Sequence, residues 1–498
     1  MREIITLQLG QLGNYTATHF WNIQESYFTY SADEKSPIDH DVHWRAGIGA
    51  DGSETFLPRT VIYDLKGGFG SLRKINALYE AEAEPDPAAL WSGQSVVHKH
   101  TPIDPSAYQQ SLDAGTEPAQ LTPSNVRYWS DFSRVFFHPR SLVQLYDFEL
   151  NSTTMPFERF SMGTELFSML DKEHELVDRD FRPFAEECDR MQGIQVFTTI
   201  DDAWGGYASS YLESLRDEFP KTTIWTWGLQ SPLLDIPRAK RQLRLVNIAH
   251  SIEQLCTQAT TVVPMALLED DLSAGVSLDR RSPWHTSALM AAAIETATLP
   301  SRTAQGSSKQ PGFLADLAES LNVDGNQPLA SMHMSLAPSK DSSEDNRTNV
   351  DFFQVGRDWS RQHIARLDTH KHVFGEILSY RDLDPLENAD EKPGHLAPGE
   401  RPIIGNSVIR KYVSSLRLPL LDAYPQIYPQ LSGHPDASAQ TTLSTNSSLA
   451  QRIRNLRTES ARLVPVNERE DLSNGLAELA DAYQEGWFSG SDDDDDDL

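Results

Sequence analysis

The 498-residue chain sets 43 Lys and Arg against 72 Asp and Glu, a formal net charge of -29, which excludes a general electrostatic grip on nucleic acid or anionic lipid. Its length calls for two or three packed units, and two cysteines, Cys188 and Cys256, are too few for a disulfide framework or a cysteine metal cage, as expected in a reducing compartment. No run approaches the roughly 18 uninterrupted apolar residues that span a bilayer, and no cleavable address precedes the first strand, so any membrane association is expected to be peripheral.

In chain order, residues 4–9 (IITLQL) read as a buried strand and 14–27 as a helix with Ala17, Phe20, Trp21 and Gln24 on one face. Between them stand Gly10, Gln11, Gly13 and Asn14; a strand that turns on glycines into a helix is the shape of a phosphate site. A second strand over 60–64 ends at Asp64, followed by Lys66 and the glycines at 67, 68 and 70. Residues 81–125, rich in Pro, Ser, Asp and Gln, read as an extended or partly disordered insertion.

Aromatic and apolar residues resume at WSDFSRVFFHPRSLVQL. A strand over 194–200, a glycine turn at Trp204, Gly205 and Gly206, a helix over 207–218 and a strand over 222–227 make a βαβ unit. Two amphipathic helices follow, in LVNIAHSIEQLCTQATTVVPMALL and PWHTSALMAAAIETATL, before a polar break at 304–310. Residues 1–330 thus read as an α/β domain with a parallel sheet and 331–488 as a smaller carboxyl-terminal α/β domain. The acidic stretch 489–498, with aspartates at 492–497, has nothing apolar to bury and is expected to be a disordered tail.

The segments MREIITLQLGQLGNYTATHFW, FLPRTVIYDL, CDRMQGIQVF and SLRDEFP resemble, in this order, the strands, loops and helices of tubulins. WSDFSRVFFHPRSLVQL, FSMGTEL and FAEECDRMQGIQ together resemble the Misato family, tubulin-like proteins tied to mitochondrial distribution and inheritance. The insertion sits where that family departs from tubulin, and the likeness is close over residues 1–330. It implies a tubulin/FtsZ-like nucleotide-binding-type domain and a role in partitioning mitochondria and inheriting mitochondrial DNA. The implied location is the cytoplasm and the mitochondrion, at its cytosolic face or periphery. Protein partners are implied, with tubulin or a chaperonin as candidates, and no direct contact with nucleic acid.

The resemblance also assigns a nucleotide pocket: Gly10, Gln11, Gly13 and Asn14 in the first loop, Asp64 in the second, Gly205 and Gly206 in the third, and Asn247, which matches a tubulin asparagine that contacts the nucleoside. Several departures point to a vestigial pocket. Tyr15 stands where tubulins carry Gln, Ala17 where they carry Gly, and Lys66 where an acidic residue helps hold magnesium. The glycine-rich phosphate cradle becomes IDDAWGG, residues 200–206, in which Asp201 and Asp202 put carboxylates beside the phosphates and Trp204 fills the space. Like charges ~4 Å apart repel by about 1 kcal/mol in bulk water and about 4 at an effective dielectric constant of 20.

In PGFLADLAES the loop asparagine of tubulins is lost and Asp316 and Glu319 align only loosely, so GTP hydrolysis at a polymer contact is not expected. The expectation is a non-enzyme with no catalytic residue, no metal ligand and no bound cofactor. The rival readings are a switch that binds GTP or GDP, with Gly205 and Gly206 holding phosphates, and a tubulin- or chaperonin-associated adaptor. Elsewhere, His138 in FFHPR lacks a nucleophile to serve and reads as structural. His370, His372 and Glu376 place the last two at helical i,i+4 spacing, which suits either a metal or a solvated helix face. Glu186, Glu187 and Asp189 fit an exposed helix face, and Trp225 and Trp227 alternate as strand residues do.

Overall fold

A computed structural model of the chain describes residues 2–28, 36–48, 54–72, 103–232, 236–267, 275–304, 312–338, 347–353, 372–383 and 407–484. The amino-terminal part runs β1 (Ile4–Leu9), α1 (Gly10–Glu25), the hairpin β2 (Trp44–Ile48) and β3 (Glu54–Pro58), β4 (Thr60–Lys66), α2 (Ala107–Asp113), β5 (Leu142–Glu149) and α3 (Phe160–His174). It continues through α4 (Arg182–Glu186), β6 (Gly193–Thr199), α5 (Ala203–Glu218), β7 (Thr223–Leu229), α6 (Arg238–Gln258), β8 (Thr261–Met265), α7 (Pro283–Thr298) and α8 (Leu314–Leu321). Then come β9 (Ser331–Ala337), β10 (Thr348–Asp351), β11 (Val373–Arg381), β12 (Val408–Ser414), β13 (Leu418–Pro419), β14 (Asp436–Asn446), α9 (Ser448–Ser460) and α10 (Val466–Asp481).

β1 is buried at every position because it lies inside a six-stranded sheet of order β5-β4-β1-β6-β7-β8, parallel throughout. Such sheets are covered on both faces, which is why their strands read as unbroken apolar runs. Ile5, Leu7 and Leu9 join one core with α3, α5 and α6; Ile4 joins the other with Phe20, Trp21, Trp225, Trp227 and Trp284 from the α1 and α7 side. Trp225 and Trp227, two apart on β7, stack on this second face with ring centroids 5.7 Å apart.

α7 reads as amphipathic in sequence but is buried on nearly all sides. The reason is a second sheet, β10-β9-β14-β11-β12, mixed in direction, whose strands β11 and β14 pack on the face of α7 turned away from the first sheet. A helix caught between two sheets needs apolar or small residues all round. The last two helices, α9 and α10, pack on each other and back onto α6, where Gly475 lets α10 approach Glu253 closely.

Several boundaries differ from expectation. α1 starts at Gly10, four residues before the expected 14, because Gly10 takes φ +78° and turns strand into helix within one residue. α5 starts at Ala203, so the expected glycine turn lies inside a helix. Of the proposed insertion, 81–102 lie outside the described residues, whereas 103–125 contain α2, which is tied down and not extended. Tyr108 is buried, and Gln109 Nε2 donates to the carbonyls of Ser130 (2.9 Å) and Ser133 (2.6 Å). The acidic tail and 305–310 of the polar break also lie outside the described residues. No described helix is long and apolar enough to cross a membrane.

A buried ion triad joins the second sheet to α7. Glu295 of α7 sits between Arg302 (2.6 Å) and Arg381 of β11, all three with no exposed side-chain surface. Gln24 Nε2 and Tyr27 Oη donate to the same carboxylate, each at 3.1 Å. Burial drives the Glu295 pKa up, but the two guanidiniums more than reverse this and hold it below its usual range. Removing one member of such a set leaves buried charge uncompensated. Glu295→Gln is therefore expected to lower unfolding free energy by about 3–5 kcal/mol in urea titrations; a loss under ~1 kcal/mol would show the triad to be replaceable.

Candidate functional site

The carboxyl ends of β1, β4 and β6 open on a cleft of about 960 Å³, where open parallel sheets bind their ligands. Gln11 and Leu12 of α1, Asp201, Asp202 and Trp204 at the start of α5, and Lys240 and Arg244 of α6 line it. Of the expected site residues only Gln11 lines it; the set falls into two groups.

The first group binds itself. Asp64, fully buried, accepts at Oδ2 from Gln11 Nε2 (2.8 Å), Asn14 Nδ2 (2.9 Å) and Trp129 Nε1 (3.0 Å), and at Oδ1 from the Leu65 amide (2.8 Å). Gln11 Nε2 also donates to the Gly68 carbonyl (3.2 Å), and Asn14 Nδ2 to that of Tyr63 (3.1 Å). Burial pushes the Asp64 carboxyl up to about 6, with the four donors pulling the other way. The side chains that would address a phosphate or a magnesium-bound water are thus held by one another. Lys66 is exposed. Trp129 was not anticipated: it lies 65 residues from Asp64, and no local pattern marks an indole as a carboxylate partner.

The second group surrounds the first turn of α5. Asp202 caps this helix, accepting from the Trp204 amide (2.9 Å) and from Thr199 Oγ1, while the Gly205 amide donates to the Asp202 carbonyl (3.3 Å). The Trp204 and Gly205 amides, which would help cradle an anion, are taken by the chain itself. The glycines serve packing: a Cβ on Gly205 would lie 2.1 Å from Ser251 Oγ, and one on Gly206 2.0 Å from the Phe160 carbonyl oxygen. Gly163 of α3 answers from the other side, its Cβ position 1.8 Å from the Ala203 carbonyl oxygen. The glycine loop expected from the sequence is therefore a helix-packing contact.

Trp204 joins the two groups. Its ring, 4% exposed, stands edge-on to Phe157 with centroids 5.3 Å apart. A Cβ built on Gly10 would meet its Cδ1 at 2.5 Å. Gly13 is similarly occupied, its Cβ position 3.0 Å from the Phe197 carbonyl oxygen. Asn247 is saturated, donating to the carbonyls of Glu158 (2.7 Å) and Asp201 (3.0 Å) and accepting from the Phe160 amide (3.0 Å).

Asp201 accepts from the Ser231 amide (3.0 Å) and lies 3.6 Å from Arg244, with no donor to Oδ1 among the described residues. Burial raises its pKa, against the pull of Arg244. Burial and then the neighbouring Asp201 carry Asp202 up to about 7.

The remaining candidates are dispersed. His138 accepts the Arg140 amide at Nδ1 (3.1 Å), and burial with Arg45 and Arg140 nearby brings its pKa down to about 4. Glu376 lies on β11 and His372 just before it, so the helical spacing read from the sequence is not formed; His370 is outside the described residues. No group of three His, Cys, Asp or Glu able to hold a metal occurs among the described residues. Glu187 pairs with Arg45 at 2.9 Å, and Asp316 caps α8 by accepting the Phe313 amide at 3.2 Å.

Comparison with known proteins agrees with this fold. The Misato Segment II tubulin-like domain matches residues 2–114, and a tubulin domain matches residues 118–303. The chain is 86% identical to Protein DML1 of Gibberella zeae and 47% identical to Protein dml-1 of Neurospora crassa, covering all of each chain. It is 30% identical to Protein dml1 of Schizosaccharomyces pombe over 78% of its own length and 82% of that protein's.

The raised Asp202 pKa has a signed consequence. An acid held above its unfolded value contributes stability below about pH 4, and this is lost as pH rises through about 7. Asn caps a helix as well as Asp does, so Asp202→Asn is expected to raise stability by roughly 1–3 kcal/mol at pH 8 and to bring little gain at pH 4. A pH-independent difference in denaturant midpoint would contradict this. Gly206→Ala, in contrast, is expected to lower the melting temperature at every pH, since its methyl meets backbone.

Proposed function

The chain belongs to the Misato family of tubulin-like proteins, and from that premise we propose that it acts without catalysis in partitioning and distributing mitochondria and in the inheritance of mitochondrial DNA. The tubulin-like fold supplies protein-binding surfaces, at the cytosolic face of mitochondria and in the cytoplasm, and its nucleotide pocket is vestigial. The observation that carries the non-catalytic reading is the Trp204 ring lodged against Gly10 where the first and third loops converge. The Asp64 carboxylate, already held by Gln11, Asn14 and Trp129, and the carboxylates of Asp201 and Asp202 support it.

A GTP-dependent switch is the second reading, favoured by a cleft of about 960 Å³ at the carboxyl ends of the strands. Thermal unfolding with GTP and magnesium separates the two. A ligand at a hundred times its Kd stabilises the fold by about 2.7 kcal/mol, so an unchanged melting temperature is expected and a rise of several degrees would favour the switch. For the cellular role, depletion is expected to disturb mitochondrial distribution and lower mitochondrial DNA content. Normal mitochondria in depleted cells would contradict it. Capture of tubulin or a chaperonin with the native chain would identify it as an adaptor.

A further inference from the structure

β11 and β12 are adjacent and parallel, so the chain between them must return from the top of one to the foot of the other across a face of the second sheet. One face is already taken. Arg381 of β11 reaches Glu295 of α7, a Cβ on Gly375 would lie 2.1 Å from the Ser320 carbonyl oxygen of α8, and Tyr412 of β12 is buried against Gly312. Among the described residues, α7 and α8 are the helices packed on these two strands.

Strand chirality says which face the connection takes. In the first sheet, the side chains whose amides bond the next strand face the helix that leads to it. Thr6, on the α1 side with Ile4, donates to the Arg59 carbonyl at the foot of β4 (2.9 Å), and Ile200, in the core with α5, donates to the Leu229 carbonyl of β7 (3.0 Å). Right-handed crossovers, about 98% of connections between parallel strands of one sheet, share this relation. In the second sheet, Asp382 gives its amide to the Ser414 carbonyl beside β12 (2.9 Å). The residues in step with it, Phe374, Glu376, Leu378 and Tyr380, alternate with the buried ones and so face away from α7 and α8. A right-handed connection therefore crosses the face opposite those helices.

That face is apolar where β11 and β12 lie. Leu378 and Tyr380 are half-buried, and Ile409 and Val413, paired with Glu376 and Tyr380, are 42% and 43% exposed. Toward β14, β9 and β10 the same face turns polar, with Gln440, Thr442, Ser335, His333 and Asn349. We propose that residues 384–406 lie across Leu378, Tyr380, Ile409 and Val413 and cover this part of the sheet, so that the partner-binding surfaces of the fold lie elsewhere.

The ends and the length fit. The described chain stops at Leu383 above β11 and resumes at Ser407 just before β12. The 7 residues of β12 span ~23 Å, whereas residues 384–406 reach ~76 Å when extended, enough to cross the face and lay Leu386, Leu396, Ile403 and Ile404 on it. Residues 354–371, also outside the described set, join the end of β10 to the start of β11 at one end of the sheet and have no need to cross it. The inference holds whether or not the cleft binds nucleotide.

The test places the photo-crosslinker p-benzoylphenylalanine at position 413 of the full chain, with position 410, on the α8 side of β12, as control. Irradiation is expected to join position 413 to residues 384–406 of the same molecule, and position 410 to none of them. An adduct of position 413 with residues 354–371, a cross-linked dimer that would assign the face to a second copy, or no adduct at 413 overturns the proposal. Glu-C protease, which cuts after Glu387, Glu391 and Glu400, gives an independent reading. Ile409→Asp with Val413→Asp is expected to speed these cuts at least ~10-fold with the far-UV spectrum unchanged, and native cleavage rates in that variant contradict the contact.

Discussion

The first turn of α5 is held by contacts that allow no side chain in their place. Gly206 lies against the Phe160 carbonyl, Gly205 against Ser251, and Gly163 against the Ala203 carbonyl. These approaches bring α3, α5 and α6 together and fix where α5 begins. That starting point in turn aims Trp204 at Gly10 and puts Asp202 at the cap. An anion-binding loop needs amides that are free and glycines that leave room. Here the Trp204 amide is taken by the Asp202 carboxylate and the Gly205 amide by its carbonyl, and the room is taken by neighbouring helices and an indole. The same residue type that makes a phosphate cradle has been put to use in packing, and the site's chemistry follows from that change.

At the other end of the molecule, the Glu295 triad plays the corresponding part for the second sheet. It draws on α1 through Gln24, on α7 through Glu295, on Arg302 just after α7 and on β11 through Arg381. The carboxylate thus ties the second sheet to α1 and α7. A buried set of this kind is weak evidence of stability in itself, but its geometry is demanding, and α7 can be buried on both sides only when the sheets keep this relation. The protein-binding surfaces proposed for the fold rest on that rigid pairing.

The parallel sheet and its βαβ unit were legible because fully buried strands show as apolar runs and the intervening helices as a 3.6-residue pattern. The family likeness was legible in ordered segments such as IITLQLGQLGN and CDRMQGIQVF. The meaning of the glycines was not. A glycine says that something comes close, without saying what, and the Phe160 carbonyl that approaches Gly206 lies in another helix. The Asp64 cluster was hidden for the same reason, since its indole partner is far along the chain. His372 and Glu376 show the limit of spacing as a guide: four residues apart suits one helix face, but β11 is a strand because it pairs with β14, a partner whose contribution no local window contains.

The central claim is that the nucleotide pocket of this tubulin-like fold is filled by the protein itself. Its most direct test is to purify the full chain natively in the presence of magnesium, denature it, and identify and quantify any nucleotide released. The account predicts protein free of guanine nucleotide. Stoichiometric GTP or GDP in the released fraction would contradict it, and would require Trp204 to leave its place against Gly10 in the bound state.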